Sequence, residues 1–145
     1  MLRIEMAAGD DVQALLDLQQ QTQQIHWSPT AYQEAIALQQ CWLAKQQQTI
    51  IGFIVFSHIL DEAELLNIAV HPDYQGQGVA YALYAAMQEK LQQADVTQCF
   101  LEVAKSNHKA QTFYQKVGFT TIATRKNYYQ QANGFDDAMI MRILL

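Results

Sequence analysis

The spacing of apolar residues changes several times along the first half of the chain, and each change predicts a new element. Residues 2–6 predict a short strand. Asp10 or Asp11 can cap the helix that follows, because a carboxylate accepts hydrogen bonds from the free amides of a first turn. The residues that this helix turns toward the core are expected to be Val12, Leu15, Leu16 and Leu18.

A second helix and three strands are predicted next. Ser28 followed by Pro29 is typical of a helix start. The amide N–H at the first helical position has no partner within the helix, so proline, which has no N–H, is well tolerated there. We expect this helix over residues 29–39. Three strands are expected after it, the first two joined by a polar turn, over residues 41–46, 49–60 and 64–70.

The second half alternates between helical and extended spacing. A helix is predicted over 78–93, with one apolar stripe formed by Val79, Leu83, Met87 and Leu91. The remaining elements are a strand over 97–104, a helix over 107–117, and strands over 119–127 and 137–144 that flank a polar loop with Asn133 and Gly134. This order predicts an α/β (mixed α+β) fold, with a seven-stranded mixed sheet and four helices on both faces. We expect one domain over 1–145.

Charge and composition narrow the class of partner. The net charge is −5, which argues against a nucleic-acid backbone as the main partner, since phosphate neutralisation needs clustered Lys and Arg. A cationic peptide or small amine suits this surface better. We expect no targeting leader, since the first residues show no charged-then-apolar pattern, and no apolar run approaches the length of a membrane span. We therefore expect a cytoplasmic enzyme or binding module with no membrane partner.

The histidines and cysteines suggest neither a metal site nor a disulfide. The four histidines lie far apart, without the close pairing to Cys, Asp or Glu that zinc sites display, so no metal is expected. Cys41 and Cys99 lie in apolar runs and are expected to be reduced core residues. A nucleophilic Cys99 paired with a histidine is conceivable, but direct attack by an amine needs no covalent intermediate.

The sharpest chemical signal is the glycine-containing turn between the strand at 64–70 and the helix at 78–93. Gly78 and Ala80 have little or no side chain, so an anion can approach the free amides at the positive end of the helix dipole. Such a turn favours a pyrophosphate, although the glycines could also serve only to make a tight turn. A Rossmann interpretation is discounted because Tyr81 stands where that motif has its third glycine.

Gln75, Gly78 and Ala80 match the Arg/Gln-x-x-Gly-x-Gly/Ala coenzyme A motif, and the chain resembles the GNAT superfamily of acetyltransferases across its whole length. Within that superfamily it is similar to the RimI family, the bacterial ribosomal-protein-alanine N-acetyltransferases. The segments that carry this second resemblance are 60–63 with 67–70, 101–103 with 106–107, 113–114 with 118–119, and 125–129 with 136–141.

The resemblance implies a set of site residues. The backbone of Ile68, Ala69 and Val70 would pair with the pantetheine arm of acetyl-CoA, Glu102 would be the general base, and Tyr114 the general acid. The pyrophosphate and the rest of the coenzyme would be held by Gln75, Gly76, Gln77, Gly78, Val79, Ala80, Tyr81 and Asn107.

The residues themselves leave alternatives open at two of these positions, and at Trp27 as well. Glu102 interrupts an apolar strand, where a buried carboxylate is costly without a purpose, which favours a functional role; the alternative is an edge-facing or salt-bridged glutamate. Tyr114 lies on the apolar stripe of its helix, where tyrosine also serves as core. Trp27 either borders the acceptor site or packs the first two helices together.

Two departures from the RimI pattern concern charge. Gly76 and Tyr81 both stand where that family often has arginine, so two cations near the phosphates are missing.

The resemblance still implies transfer of acetyl from acetyl-CoA to the N-terminal alanine amine of a ribosomal small-subunit protein, directly in a ternary complex. The alternatives are an acetyltransferase for a small amine, such as a polyamine or antibiotic, and a coenzyme A-binding module without catalysis.

Overall fold

The computed structural model describes residues 1–22, 27–131 and 134–145. Its strands are Leu2–Met6 (β1), Cys41–Gln46 (β2), Thr49–Ile59 (β3), Glu62–Val70 (β4), Gln98–Ala104 (β5), Thr120–Gln131 (β6) and Gly134–Leu144 (β7). The α-helices in the described part are Val12–Thr22 (α1), Pro29–Ala37 (α2), Val79–Gln93 (α3) and His108–Val117 (α4). In this part of the chain, no helix is long and apolar enough to cross a membrane.

All seven strands form one sheet in the order β1-β2-β3-β4-β5-β7-β6. Every neighbouring pair is antiparallel except β4 and β5, which run parallel. The α3 helix connects these two parallel strands, as parallel pairing requires a crossover. The prediction of a seven-stranded mixed sheet is therefore confirmed, and this sheet is mostly antiparallel.

The helices cover both faces of the sheet, as the alternating apolar pattern requires. On one face, α3 buries Leu83, Met87 and Leu91 in a cluster that also contains Phe119. On the other, Leu15 of α1 and Tyr32 of α2 pack against strand residues in a second cluster. A Cβ on Gly52 in β3 would lie 2.9 Å from the Ala69 carbonyl oxygen and 3.3 Å from Leu83 and Val79. Glycine at this position therefore allows α3 to approach the sheet closely.

The start of α2 is confirmed and the start of α1 differs from its prediction. The Ser28 hydroxyl accepts a hydrogen bond from the Ala31 amide at 3.1 Å, with Pro29 at the first helical position. Before α1 a 3₁₀ turn spans Gly9–Asp11, and its cap position is Ala8 rather than Asp10 or Asp11. The Asp11 carboxylate instead reaches back to accept from the Ala8 amide at 2.8 Å.

The last two strands are longer than the sequence predicts. The expected loop between 127 and 137 is mostly strand, and only its tip at 132–133, which includes Asn133, lies outside the described residues. The register shifts between Arg125 and Tyr129, where Asn127 adopts a φ of +56°. The Asn127 amide donates to the Asp137 carboxylate at 2.9 Å. This hydrogen bond joins β6 and β7 where their residues are polar, so the two strands continue as a hairpin beyond their apolar parts. A pattern of apolar residues cannot indicate this extra length.

Candidate active site

The parallel strands β4 and β5 pair over a short length and leave a cleft beyond it. In the described part of the chain, their pairing is confined to residues 62–64 with 98–100. Beyond this point β4 continues to Val70, paired with β3, and a register irregularity interrupts that pairing between Val55 and Phe56. The edge of β4 that carries Ile68, Ala69 and Val70 therefore faces open space instead of a neighbouring strand.

This space is a cleft of about 470 Å³ between the end of β4, the start of α3 and one side of α4. Of the residues assigned to coenzyme binding from the sequence, all but Gln77 line it. The Gln77 side chain is exposed and lies 3.4 Å from the Asp73 carbonyl oxygen, on the far side of the turn. The full lining is Thr22, Ile68, Ala69, Val70, Tyr74, Gln75, Gly76, Gly78, Val79, Ala80, Tyr81, Asn107, Lys109, Ala110, Phe113, Tyr114 and Lys116.

The cleft has a charge opposite to that of the protein. The chain carries a net charge of −5, yet the cleft is lined by two lysines, Lys109 and Lys116, and by no carboxylate among the described residues. The segregation of charge favours an anionic ligand, since a cleft concentrates the field of the charges that line it.

The turn before α3 has the backbone conformation that an anion site needs. Gly76 and Gly78 both have positive φ angles, +78° and +84°, which side-chain-bearing residues rarely adopt. Gly78 is also the N-cap of α3, and a Cβ built on it would meet nothing within 4 Å. The glycines therefore do make a tight turn, and the same turn leaves the first amides of α3 open to the cleft.

The side chain of Gln75 is held within the protein. Its amide nitrogen donates to the Val70 carbonyl at 3.0 Å, which ties the turn to the end of β4. Its carbonyl oxygen accepts a hydrogen bond from the Lys109 ammonium of α4. Gln75 thus links the three elements that surround the cleft.

Tyr114 and Asn107 reach the cleft from α4. The Asn107 side chain caps this helix by accepting from the Ala110 amide at 3.2 Å. The Tyr114 ring packs edge-on against Phe113 and Phe119, with centroids 5.7 and 5.9 Å away, while one side of it lines the cleft. Burial raises the pKa of the Tyr114 phenol to about 12. Tyr114 therefore packs in the core, as one interpretation expects, and keeps a protonated phenol at the cleft, while its role as general acid stays a prediction.

Glu102 lies on the other side of β5 from its apolar neighbours. Leu101 and Val103 are buried, whereas the Glu102 side chain is 30% exposed. Its carboxylate lies 3.6 Å from the Arg125 guanidinium of β6. The expectation of a buried carboxylate is therefore wrong, because strand alternation turns Glu102 to the open face of the sheet, where the salt-bridged alternative is the one observed.

Glu102 lines a second groove, of about 630 Å³, along this open face. Besides Glu102 the groove has three carboxylates, from Asp61, Glu62 and Glu64, and its floor includes Phe100 and Ile140. Tyr129 of β6 lies close enough for Glu102 to contribute to its pKa, which is raised first by burial and then by this carboxylate. The groove is thus acidic where the cleft is basic.

The thiols lie outside both regions, and of the described histidines only His58 lines one of them, the acidic groove. Cys41 and Cys99 are buried, as expected, and burial raises the pKa of each thiol to about 12. At neutral pH both are protonated, which removes the argument for a nucleophilic Cys99. Among the described residues, no group of three His, Cys, Asp or Glu could hold a metal ion.

Trp27 packs between the first two helices. Its ring lies 5.5 Å from that of Tyr32, and its backbone forms two hydrogen bonds of 2.9 Å with the buried Gln19 side chain. Gln19 also accepts from the Tyr32 hydroxyl at 2.6 Å. The packing interpretation of Trp27 is supported by these contacts, while Ile25 and His26 lie outside the described residues.

The main residues that sequence reasoning missed are Lys109 and Lys116. Their spacing of seven places both on one face of α4, which was the signal available. Nothing in the sequence says which part of the protein that face meets, so the cations could not be assigned to the cleft.

Comparison with known proteins agrees with this geometry. Residues 12–119 match the acetyltransferase (GNAT) family. The chain is 36% identical to the [ribosomal protein bS18]-alanine N-acetyltransferase of Haemophilus ducreyi, over 98% of this chain and 99% of that protein. It is 40% identical to the enzyme of the same name from Escherichia coli strain K12, over 68% of this chain and 66% of that protein.

A solved structure extends the similarity to the whole fold. The crystal structure of the ribosomal-protein-S18-alanine N-acetyltransferase from Escherichia coli superposes with a TM-score of 0.89 at 32% identity. The match covers 99% of this chain and 94% of that one. The family match covers most of the chain, one relative matches it over the full length, and the sheet has a glycine-rich turn beside a β4–β5 cleft. The chain therefore belongs to the GNAT family of acetyltransferases.

Proposed function

We propose that this protein transfers acetyl from acetyl-CoA to the N-terminal alanine amine of the ribosomal protein bS18. The observation that carries the proposal is the open edge of β4 opposite the start of α3. Ile68, Ala69 and Val70 offer backbone groups along which a pantetheine arm can lie as an added strand. The Gly76–Gly78 turn and the amides of α3 face the position that the pyrophosphate would take.

Glu102 and Tyr114 would move the two protons of the reaction. Acetyl-CoA supplies an activated acyl group, so that attack by an amine forms an amide bond and breaks the carbon–sulfur bond. Glu102, as general base, takes a proton from the attacking nitrogen, which becomes more acidic as the new bond forms. Tyr114 donates its phenolic proton to the departing sulfur and is suited to this because it stays protonated at neutral pH.

Direct transfer in a ternary complex is the order of events we propose. The basic cleft and the acidic groove are two separate regions, one suited to an anionic coenzyme and the other to a cationic acceptor. Both substrates can then be held at once, and alignment supplies much of the rate. The buried, protonated thiols give no support to an acetyl-cysteine intermediate.

The choice of bS18 rests on the names of the two relatives, one of which matches over its full length, and the acidic groove supports a positively charged N-terminus. A ribosomal-protein acceptor would be met in the cytoplasm, and it is reached through a protein N-terminus, without direct contact to nucleic acid. The test is to incubate the protein with acetyl-CoA and a peptide that has the N-terminal sequence of bS18. We expect mass spectrometry to find one acetyl group on the α-amine. Acetylation of a polyamine or an antibiotic, with the peptide unchanged, would contradict the proposal.

A further inference from the structure

The turn that would receive the pyrophosphate has no cation of its own. From Gln75 to Tyr81 every residue is uncharged. Tyr81 lies at the start of α3, is 61% exposed and carries no charge. Backbone amides alone would have to balance the two charges of a pyrophosphate.

A lysine from another element reaches this turn. Lys109 belongs to the first turn of α4, 34 residues from Gln75, and its ammonium donates to the Gln75 side-chain oxygen. Because the Gln75 nitrogen is already bonded to the Val70 carbonyl, its oxygen has a fixed direction and holds the ammonium at the edge of the cleft. Lys109 also lines the cleft directly, together with Gly76 and Gly78.

We propose that Lys109, positioned by Gln75, is the cation that binds the pyrophosphate of the coenzyme in this protein. The proposal rests on the proposed coenzyme site and adds a residue that the glycine motif does not contain. An ammonium has three donors, so one hydrogen bond to Gln75 leaves two for phosphate oxygens. No carboxylate among the described residues of the cleft competes for them.

The substitution Lys109→Ala tests this directly, with calorimetry of acetyl-CoA binding as the readout. We expect the dissociation constant to rise about tenfold, the size of one charge-assisted hydrogen bond at a partly exposed site. The loss should be equal for acetyl-CoA that lacks its 3′-phosphate, since the pyrophosphate is retained. The slope of affinity against salt concentration should also decrease. A loss confined to the ligand with the 3′-phosphate would overturn the assignment to the pyrophosphate.

A cation introduced at another position of the cleft separates a binding role of Lys109 from a structural one. Tyr81→Arg introduces a cation at the first turn of α3, where the side chain is exposed. In the Lys109→Ala background we expect Tyr81→Arg to recover most of the lost affinity. A purely structural role for Lys109, as a brace for Gln75, predicts no such rescue, and that result would overturn the proposal.

The positioning role of Gln75 has its own test. Gln75→Met keeps the length of the side chain but removes both hydrogen bonds, so we expect weaker acetyl-CoA binding and a smaller further loss from Lys109→Ala in the double variant. Lys90→Ala, at the exposed end of α3 and outside the cleft, is the control and should leave affinity unchanged.

If the unaltered protein binds no acetyl-CoA, the proposed function fails. If it binds and Lys109→Ala binds equally well, only the role of Lys109 fails.

Discussion

The guanidinium of Arg125 lies 3.6 Å from the carboxylate of Glu102, although these residues belong to strands separated by β7. In β7, Ile140 pairs with Glu102 and Ala138 pairs with Arg125. Both side chains are partly exposed, at 30% and 55%, so their attraction is screened by water. The pair therefore contributes little to folding and leaves Glu102 accessible from the acidic groove.

Glu102→Gln should separate activity from stability. Loss of an exposed ion pair costs about 1 kcal/mol or less, so urea unfolding should be nearly unchanged. Turnover at pH 7 should fall about 10²–10⁴-fold, because the general base is lost. The loss should be smaller at pH 9, where hydroxide is more abundant and can take the proton in place of Glu102. Glu89→Gln, on the exposed surface of α3, is the matched control. Wild-type kcat in Glu102→Gln at pH 7 would remove this residue from the mechanism.

Tyr114→Phe should keep the ring contacts with Phe113 and Phe119 and lose the proton donor. We expect kcat to fall by about 10²-fold, with the dissociation constant of acetyl-CoA nearly unchanged.

The pH dependence of the unaltered enzyme checks the same residue. Burial raises the pKa of Tyr114 to about 12, so its acid form persists as the pH rises past 10, and activity is lost only as the pH approaches 12. Log kcat should therefore stay flat from pH 8.5 to 10.5. A decline centred near pH 10, the ordinary pKa of tyrosine, would argue against a buried phenol as the acid.

Gly78→Val should weaken acetyl-CoA binding for two reasons. The φ of +84° is strained for any residue with a Cβ, and the open space beside Gly78 lies at the cleft. We expect at least a tenfold rise in the dissociation constant measured by calorimetry. Gly134→Ala tests backbone strain alone, since its φ of +123° is also positive and it lies outside the cleft. Gly78→Val with unchanged affinity would show that the coenzyme binds elsewhere.

The acceptor should be an α-amine in preference to a lysine side chain. An α-amine has a pKa of about 7.7–8.0 against roughly 10.4 for lysine, so it is neutral far more often at pH 7. With a peptide that begins with alanine and also contains lysines, fragmentation mass spectrometry should place the acetyl group on the N-terminus. Acetyl found only on lysine would contradict the proposed acceptor.

Salt should act on acceptor binding more than on chemistry. The carboxylates of Asp61, Glu62 and Glu64 share the groove with Glu102, and added salt screens their attraction for a cationic peptide. Raising the salt concentration should increase the KM for the peptide more than it lowers kcat. A KM that does not change with salt would show that the acidic groove takes no part in acceptor binding.

The sequence by itself determined the elements and the glycine turn, because these depend on neighbouring residues. Apolar spacing located the seven strands and four α-helices of the described residues, and the residues from Gln75 to Ala80 predicted an anion site at the start of α3. Strand alternation also contained the information that Glu102 faces away from Leu101 and Val103, although the apolar run suggested burial. These features follow from the period of a helix or strand.

Only the tertiary structure decided which distant residues meet. The contact between Gln75 and Lys109 depends on how α4 packs beside the β4–α3 turn, and the approach of Arg125 to Glu102 depends on β7 lying between β5 and β6. Local periodicity indicates which face of an element is apolar, but it carries no information on sheet order or register. The fold therefore decides that a chain with a net charge of −5 presents lysines at one cleft and carboxylates at the neighbouring groove.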